Sequence, residues 1–350
     1  MTKPDDALSV ILAAPGELRV DRIPVPSVGP GAVRVAMRAC GICGSDLRYL
    51  AGENPWALHT LGENLVSPPN MVLGHEVAGT VTVDGREQRV AILAYRACGE
   101  CPACRAGREN ICANVQHIGH ATGWGAMDYY PGGMAEEFEV WPGFAFPIPD
   151  HVSFDEATFL DGLAVAIHAC DRAAVAAGSR VAIVGLGPIG MLAAQVARSR
   201  GAATVCGCDT APLPLELASG LGFADLVQSD AERFLRPDAG YDAIIDTVGA
   251  AGSVARAPSS LAPGGTLALL SVHPESISLP TVSLSAERTI TSAANNRYAD
   301  FPQAIDLLSR GEVRVAPLVT HRFPLAQAAK AFDVMANKER EKAYKIVLHP

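Results

Sequence analysis

The 350-residue chain is 49% hydrophobic and 19% charged, a balance that excludes disorder and leaves room for two domains of roughly 150 residues each. Its formal net charge of -9 excludes nucleic acid and anionic membrane surfaces as partners. Nine cysteines in so long a chain do not make a small disulfide scaffold, and in a reducing cytoplasm their clustering points to metal.

Residues 1–6 hold no apolar leader segment, so cytoplasmic residence is expected. The longest apolar run, residues 181–197, is broken by three glycines and a proline and spans no membrane. Residues 9–13, 18–23 and 32–37 are short strand-like runs separated by Pro24, Pro26, Gly29, Pro30 and Gly31, which predicts a β start with long-range pairing.

Two ligand-rich stretches follow. The first runs Cys40-Gly-Ile-Cys43-Gly-Ser45-Asp46 and is joined later by Gly74-His75-Glu76. Cys40 and Cys43 could be a redox pair, but Cys40 also reads as a small buried apolar residue. Cys43, His75 and a carboxylate together suit Zn²⁺ with one position left open for chemistry. The second stretch holds Cys98, Cys101, Cys104 and Cys112, bent by Gly99, Pro102 and Gly107. Four thiolates at that spacing suit a closed tetrahedral zinc, which is a structural role. An Fe–S cluster is the competitor, with different usual spacings.

Residues 107–149 are polar, glycine-rich and aromatic. Pro149 and the Ser153/Asp155 region mark a junction into an apolar helix that contains Asp161. That carboxylate is either a cap or buried polar group, or a ligand or outer partner of the metal.

Residues 181–184 read as a buried parallel strand that turns through Gly185, Gly187, Pro188, Ile189 and Gly190 into a helix over 188–199. Gly185 permits the turn, Gly187 lets backbone approach a pyrophosphate, and Gly190 lets helix and strand pack closely. The next strand ends at Asp209, 24 residues after Gly185, where a carboxylate accepts the ribose hydroxyls of NAD. No Lys or Arg occurs in 210–232 to receive a 2′-phosphate, which favours NAD over NADP. Strands over 241–249, 265–272 and 288–293 alternate with helices and complete a doubly wound parallel sheet. Val248 and Ser271, in the last residues of two of these strands, are assigned to the cofactor site. Helices over 301–308 and 325–336 and a strand over 344–348 close the chain.

These motifs, with Ile167-His-Ala-Cys170 and Arg297-Tyr298, resemble the zinc-dependent medium-chain alcohol/polyol dehydrogenases, and within them the sorbitol and sugar-alcohol branch. The resemblance runs essentially end to end. It implies an α/β protein with a GroES-like β catalytic domain, residues 1–155 with 296–350 returning to it, and a Rossmann NAD domain, residues 156–295. It implies Cys43 and His75 as catalytic zinc ligands, with Glu76 and Asp161 as the two carboxylate positions; of these Asp161 is preferred at rest because aspartate bound directly to zinc is a common inner-sphere arrangement. It gives Ser45 the proton of the alcohol, Asp46 the second nitrogen of His75, and Arg297 and Tyr298 the polyol. Homodimer or homotetramer assembly is expected.

Two departures stand out. Arg48 occupies the place of a relay histidine, so the proton leaves through zinc-bound water or Tyr49. Thirty-one residues separate Cys43 from His75, the extra length falling in 51–69, a loop that includes Trp56 and His59. The resulting expectation is an enzyme with one catalytic and one structural Zn²⁺, passing a hydride from a secondary alcohol to NAD. A simple alcohol or threonine-type amino alcohol dehydrogenase is the alternative, and a zinc-free NAD(H)-binding relative the remote one.

Overall fold

The partly alternating strand Val33–Gly41 and the strand Glu76–Val83, buried over its first six residues, pair at the centre of the first unit. The computed structural model describes residues 6–63, 65–120 and 122–350. The leader reading therefore falls outside the described residues except at Asp6, and residue 64 of the 51–69 segment lies outside them too. The chain divides into a unit made of Met1–Asp161, Phe301–Ser309 and Val315–Pro350, and a unit made of Gly162–Asp300 with Arg310–Arg314.

In the first unit, Glu17–Pro24, Asp6–Ala14 and Met71–Val72 form one small sheet. A larger sheet runs Ala145–Pro147, Arg86–Ile92, Glu76–Val83, Val33–Gly41, Lys345–His349, Val319–Pro324, with Glu137–Val140 also on Val33–Gly41. Pairing is antiparallel except between the two C-terminal strands. Val35, Met37, Val77, Ile92, Phe138, Trp141 and Ile346 share its core. The register sets Gly41 opposite Glu76 on one side and Val347 on the other. Lys345 and Val347 face the same way, two residues apart, so Lys345 and Glu76 are brought to one patch of the sheet.

The second unit holds six parallel strands in the order Leu226–Gln228, Thr204–Asp209, Arg180–Val184, Tyr241–Asp246, Leu261–Leu269, Thr289–Ser292. The chain winds outward from Arg180–Val184 in one direction and then restarts at Tyr241–Asp246 in the other. The ends of these two adjacent strands form the switch point at which such sheets bind ligands. Val184, Ile244, Val254 and Leu267 pack in its core. The helix expected over 188–199 is Pro188–Ser199. The short edge strand Leu226–Gln228 was not expected; three residues with no buried alternation carry no readable pattern. Among the described residues, no helix is long and apolar enough to cross a membrane.

Candidate active site and metal centres

Cys43 sits immediately before the helix Gly44–Leu50, in extended conformation. Asp46 reaches back, and its Oδ2 accepts from the Cys43 backbone N–H at 2.9 Å, which fixes the thiol at the helix start. His75 precedes the strand Glu76–Val83 and is buried with it. One donor atom each from Cys43, His75 and Glu76 lies within 4.8 Å of the others. Burial opposes a charged imidazole at His75, but the Cys43 thiolate and the Asp46 and Asp161 carboxylates outweigh it and push the ring up to about 10. So much negative charge around a buried ring calls for a cation. A soft thiolate, an imidazole and a carboxylate fit Zn²⁺ with an open position.

Asp46 was expected to bond the second nitrogen of His75. The structure sets Asp46 Oδ1 and His75 Nδ1 4.0 Å apart, which is charge attraction and not a hydrogen bond. Both atoms are buried and neither hydrogen-bonds elsewhere among the described residues. Asp161 stands outside the ligand trio and acts on His75 as a charge.

The sequence reading missed Lys345. Its ammonium forms an ion pair with Glu76 Oε2, both side chains almost wholly buried. It also lies 3.5 Å from the Ile42 carbonyl and 5.3 Å over the Phe159 ring. Burial opposes the ammonium, yet Glu76 and Cys43 raise its pKa above the ordinary lysine value. A Cβ on Gly41 would fall 2.6 Å from Glu76 Oε2 and 2.7 Å from Lys345 Cε, so only glycine leaves room for the pair.

Ser45 Oγ is buried, next to Cys43 along the chain but for Gly44, and has no hydrogen-bond partner among the described residues. Tyr49, considered as a proton exit, is enclosed: it is buried, and its hydroxyl lies 2.6 Å from His120 Nδ1 and 3.4 Å from Asn54 Oδ1. Burial raises its pKa far above the usual tyrosine range, so it does not release a proton to solvent. Arg48 is held by Glu53 Oε2 at 2.6 Å and lies 3.2 Å from His59 Nε2, which ties the 51–69 segment back to the metal-ligand helix.

Cys98, Cys101, Cys104 and Cys112 converge with Sγ–Sγ separations of 4.0, 3.5, 3.9 and 3.5 Å for the pairs 98–104, 101–104, 101–112 and 98–112. Disulfide sulfurs would be about 2.05 Å apart. Four sulfurs about 2.3 Å from a central zinc lie about 3.8 Å from one another. The set therefore fits a closed tetrahedral zinc. Backbone N–H groups of Glu100 and Cys101 aimed at Cys98 bring its thiol down to about 6.

In the second unit, Gly185 turns the chain at φ +84°. A Cβ on Gly190 would fall 1.9 Å from the Gly185 carbonyl oxygen, whereas one on Gly187 would meet nothing within 4 Å. Gly190 is thus needed for packing and Gly187 faces open space, as a phosphate site requires. The helix begins at Pro188 without a side-chain cap, leaving first-turn N–H groups for an anion. Ile189 packs toward Gly162. Asp209 Oδ2 accepts from Leu186 N and Oδ1 from Ala211 N, each at 2.9 Å, so its carboxylate is fixed at the glycine loop.

Buried Asp246 accepts from Val248 N, Gly249 N and Ser253 Oγ at 2.7 to 2.8 Å and shapes the next loop. There His273 Nε2 lies 2.9 Å from the Val248 carbonyl and 3.2 Å from Ser271 Oγ. Asp246 and His273 were not singled out from sequence; an Asp ending a strand is a readable signal, the exposed histidine is not. Arg297 pairs with Asp171 and Asp300, and Asp300 also lies 3.7 Å from His168 Nδ1. Tyr298 is half-buried beside it in sequence.

Comparison with known proteins agrees with both halves of this arrangement. Residues 29–150 match the alcohol dehydrogenase GroES-like domain, and residues 188–310 match the zinc-binding dehydrogenase domain. Sorbitol dehydrogenase of Bacillus subtilis (strain 168) is 30% identical over 363 aligned residues, covering 100% of this chain and 99% of that protein. The structure of L-idonate 5-dehydrogenase from Escherichia coli str. K-12 substr. MG1655 superposes with a TM-score of 0.86 at 26% identity, over 99% of this chain and 98% of that one. A zinc-binding dehydrogenase of Sinorhizobium meliloti 1021, bound to NADP, gives 0.85 at 29% identity over 99% of both chains.

Proposed function

The chain belongs to the zinc-dependent medium-chain dehydrogenases, in their sorbitol-dehydrogenase-like branch, and on that footing we propose that it oxidises a secondary hydroxyl of a polyol, sugar or cyclitol with NAD. The observation that carries this reading is the trio Cys43, His75 and Glu76 with the unpartnered hydroxyl of Ser45, close to Cys43 along the chain. Zinc bound by that trio supplies a Lewis acid for the alcohol oxygen, and NAD accepts the hydride.

The protein's own groups do the rest. Cys43 and His75 hold the metal, Glu76 completes the set, and Lys345 balances the Glu76 charge. Ser45 receives the hydroxyl proton. Gly185, Gly187 and the uncapped start of the helix Pro188–Ser199 take the pyrophosphate. Asp209 takes the ribose hydroxyls and repels a 2′-phosphate, which supports NAD even though one structural relative holds NADP. Val248, Ser271 and Ile189 line the cofactor. Arg297 and Tyr298 contact the polyol, the Arg297 guanidinium held in place by Asp171 and Asp300. We assign residues 1–155 and 296–350 to the catalytic domain and 156–295 to the cofactor domain. The four-cysteine zinc is structural, the enzyme a cytoplasmic homodimer or homotetramer.

A panel of polyols, cyclitols, amino alcohols and simple secondary alcohols, read as NADH absorbance, tests the reading. Turnover of polyols or cyclitols above the other classes is expected. Turnover confined to simple or amino alcohols would overturn it.

A further inference from the structure

The two loops that carry Val248 and Ser271 are laced together where their strands end. Tyr241–Asp246 and Leu261–Leu269 pair in parallel, with Asp246 opposite Leu269 at the last step. Just beyond it, Leu270 N donates to the Asp246 carbonyl at 2.9 Å. Gly249 (φ +71°) then passes so close that a Cβ on it would fall 2.2 Å from the Ser271 carbonyl oxygen. On its other side the first loop is tied to the glycine turn. The Thr247 hydroxyl lies 3.0 Å from the Val184 carbonyl, to which it donates, and 3.2 Å from that of Gly185.

His273 completes the lacing. Its Nε2 lies 2.9 Å from the Val248 carbonyl oxygen and 3.2 Å from Ser271 Oγ. A carbonyl only accepts, so Nε2 carries a hydrogen whether the ring is neutral or charged. The imidazole is therefore the donor to both loops, and the Ser271 hydroxyl proton is not spent on the ring. Gly249, Ser271 and His273 line one cavity of about 90 Å³, together with Val254 and Leu269.

The place of this cavity in the sheet decides what it serves. Asp209 ends the strand on one side of Arg180–Val184, and the glycine turn follows Arg180–Val184 itself. One ribose and the pyrophosphate of a dinucleotide take that half of the sheet. The other half of the dinucleotide crosses the switch point and runs over the ends of Tyr241–Asp246 and Leu261–Leu269, whose loops His273 joins.

We propose that His273 is a positioning residue for the nicotinamide half of the cofactor, holding Val248 and Ser271 at one spacing through its Nε2–H. The inference rests on the NAD reading and goes beyond it, because it gives a role to a side chain outside the glycine turn and Asp209. His273 does not touch the reacting atoms; it acts through the two residues it joins.

The test measures binding of NADH and of ADP-ribose to the zinc-loaded enzyme by calorimetry, with the melting temperature of the unliganded protein alongside. ADP-ribose keeps the pyrophosphate and the riboses and lacks the nicotinamide. His273→Ala should weaken NADH binding about three- to tenfold, as loss of one net hydrogen bond does, and leave ADP-ribose binding unchanged. The melting temperature should stay nearly the same, since His273 is exposed. His273→Gln, whose amide N–H replaces the imidazole donor, should bring NADH binding back to within about twofold. In turnover the alanine variant should raise KM for NAD and not KM for the alcohol. Equal weakening of both ligands, or of neither, overturns the role of His273 and leaves the cofactor reading intact. So does a glutamine variant that binds NADH no better than the alanine one. Failure of the unaltered enzyme to bind either ligand overturns the cofactor reading and this proposal with it.

Discussion

Glu76 and Lys345 form a buried ion pair across the bare face of Gly41, joining the second metal-ligand segment to the C-terminal strand. The pair neutralises a carboxylate that the metal site also uses. Removing one partner of such a pair leaves an unbalanced buried charge, which costs about 3–5 kcal/mol. Lys345→Met should therefore lower the unfolding free energy by that amount, read as a fall in the urea midpoint at unchanged slope. Adding Glu76→Gln should restore part of the stability, because no lone charge is left behind. A single variant as stable as the unaltered protein would show the pair to be energetically idle. Gly41→Ala should destabilise as well, since its methyl group occupies the space of the pair.

Two ligand sets imply two zinc ions per chain, and their loss should have different consequences. Cys43→Ala should lose one zinc and the activity while the chain stays folded, because an open site contributes little to the frame. Cys101→Ala should lose the other zinc and with it the order of the lobe, since structural metal binding is folding free energy. Elemental analysis with proteolysis of the lobe checks both. One zinc or none in the freshly purified protein would remove the premise.

Much of the fold was legible because its signals are local. Glycine spacing, apolar runs and the acid after the second strand place the cofactor unit without tertiary information, and the four cysteines lie within fifteen residues. The catalytic site was legible in its ligands and not in their surroundings. Lys345 is 269 residues from Glu76, and only the register of three strands around Gly41 brings them together. His117 and His120 fall in a stretch with no periodicity, where nothing local tells that glycines will press it onto His75. The Asp46–His75 relation was inferred as a bond, but the helix start places Asp46 to cap Cys43 first.

Asp209 has two tasks, and a substitution should reveal both. Asp209→Ala removes the ribose acceptor and the repulsion of a 2′-phosphate, so the ratio of kcat/KM for NAD over NADP should fall at least tenfold. It also frees the Leu186 and Ala211 N–H groups, so efficiency with NAD should fall in absolute terms. Comparable efficiency with both cofactors in the unaltered enzyme would sink the NAD assignment.

Gly190 should tolerate no side chain. A methyl group there would overlap the Gly185 carbonyl oxygen at 1.9 Å, and both atoms belong to the backbone that frames the phosphate loop. The helix would have to move away from its strand. Gly190→Ala should therefore abolish NADH binding measured by fluorescence, and lower the melting temperature. Gly187→Ala should leave the melting temperature nearly unchanged, because its Cβ would point into open space, yet weaken NADH binding by occupying that space. Equal behaviour of the two variants in both measurements would contradict this division of roles.

The remaining question at the metal is which carboxylate holds it. Glu76 has a donor oxygen in the group with Cys43 and His75, while Asp161 lies outside that group and acts on His75 by charge. The preference for Asp161 rested on aspartate being a common inner-sphere zinc ligand; in the structure it is Glu76 that brings a donor oxygen within 4.8 Å of those of Cys43 and His75. Glu76→Gln should weaken catalytic zinc binding strongly, because an amide is a poorer ligand and Lys345 is left unpaired. The double variant Glu76→Gln with Lys345→Met removes the second effect and isolates the first. Asp161→Asn should keep two zinc ions per chain and change the catalytic rate more than the metal affinity. Competition with a chromogenic chelator measures both. Zinc loss in Asp161→Asn with full retention in the Glu76 variants would reverse the assignment.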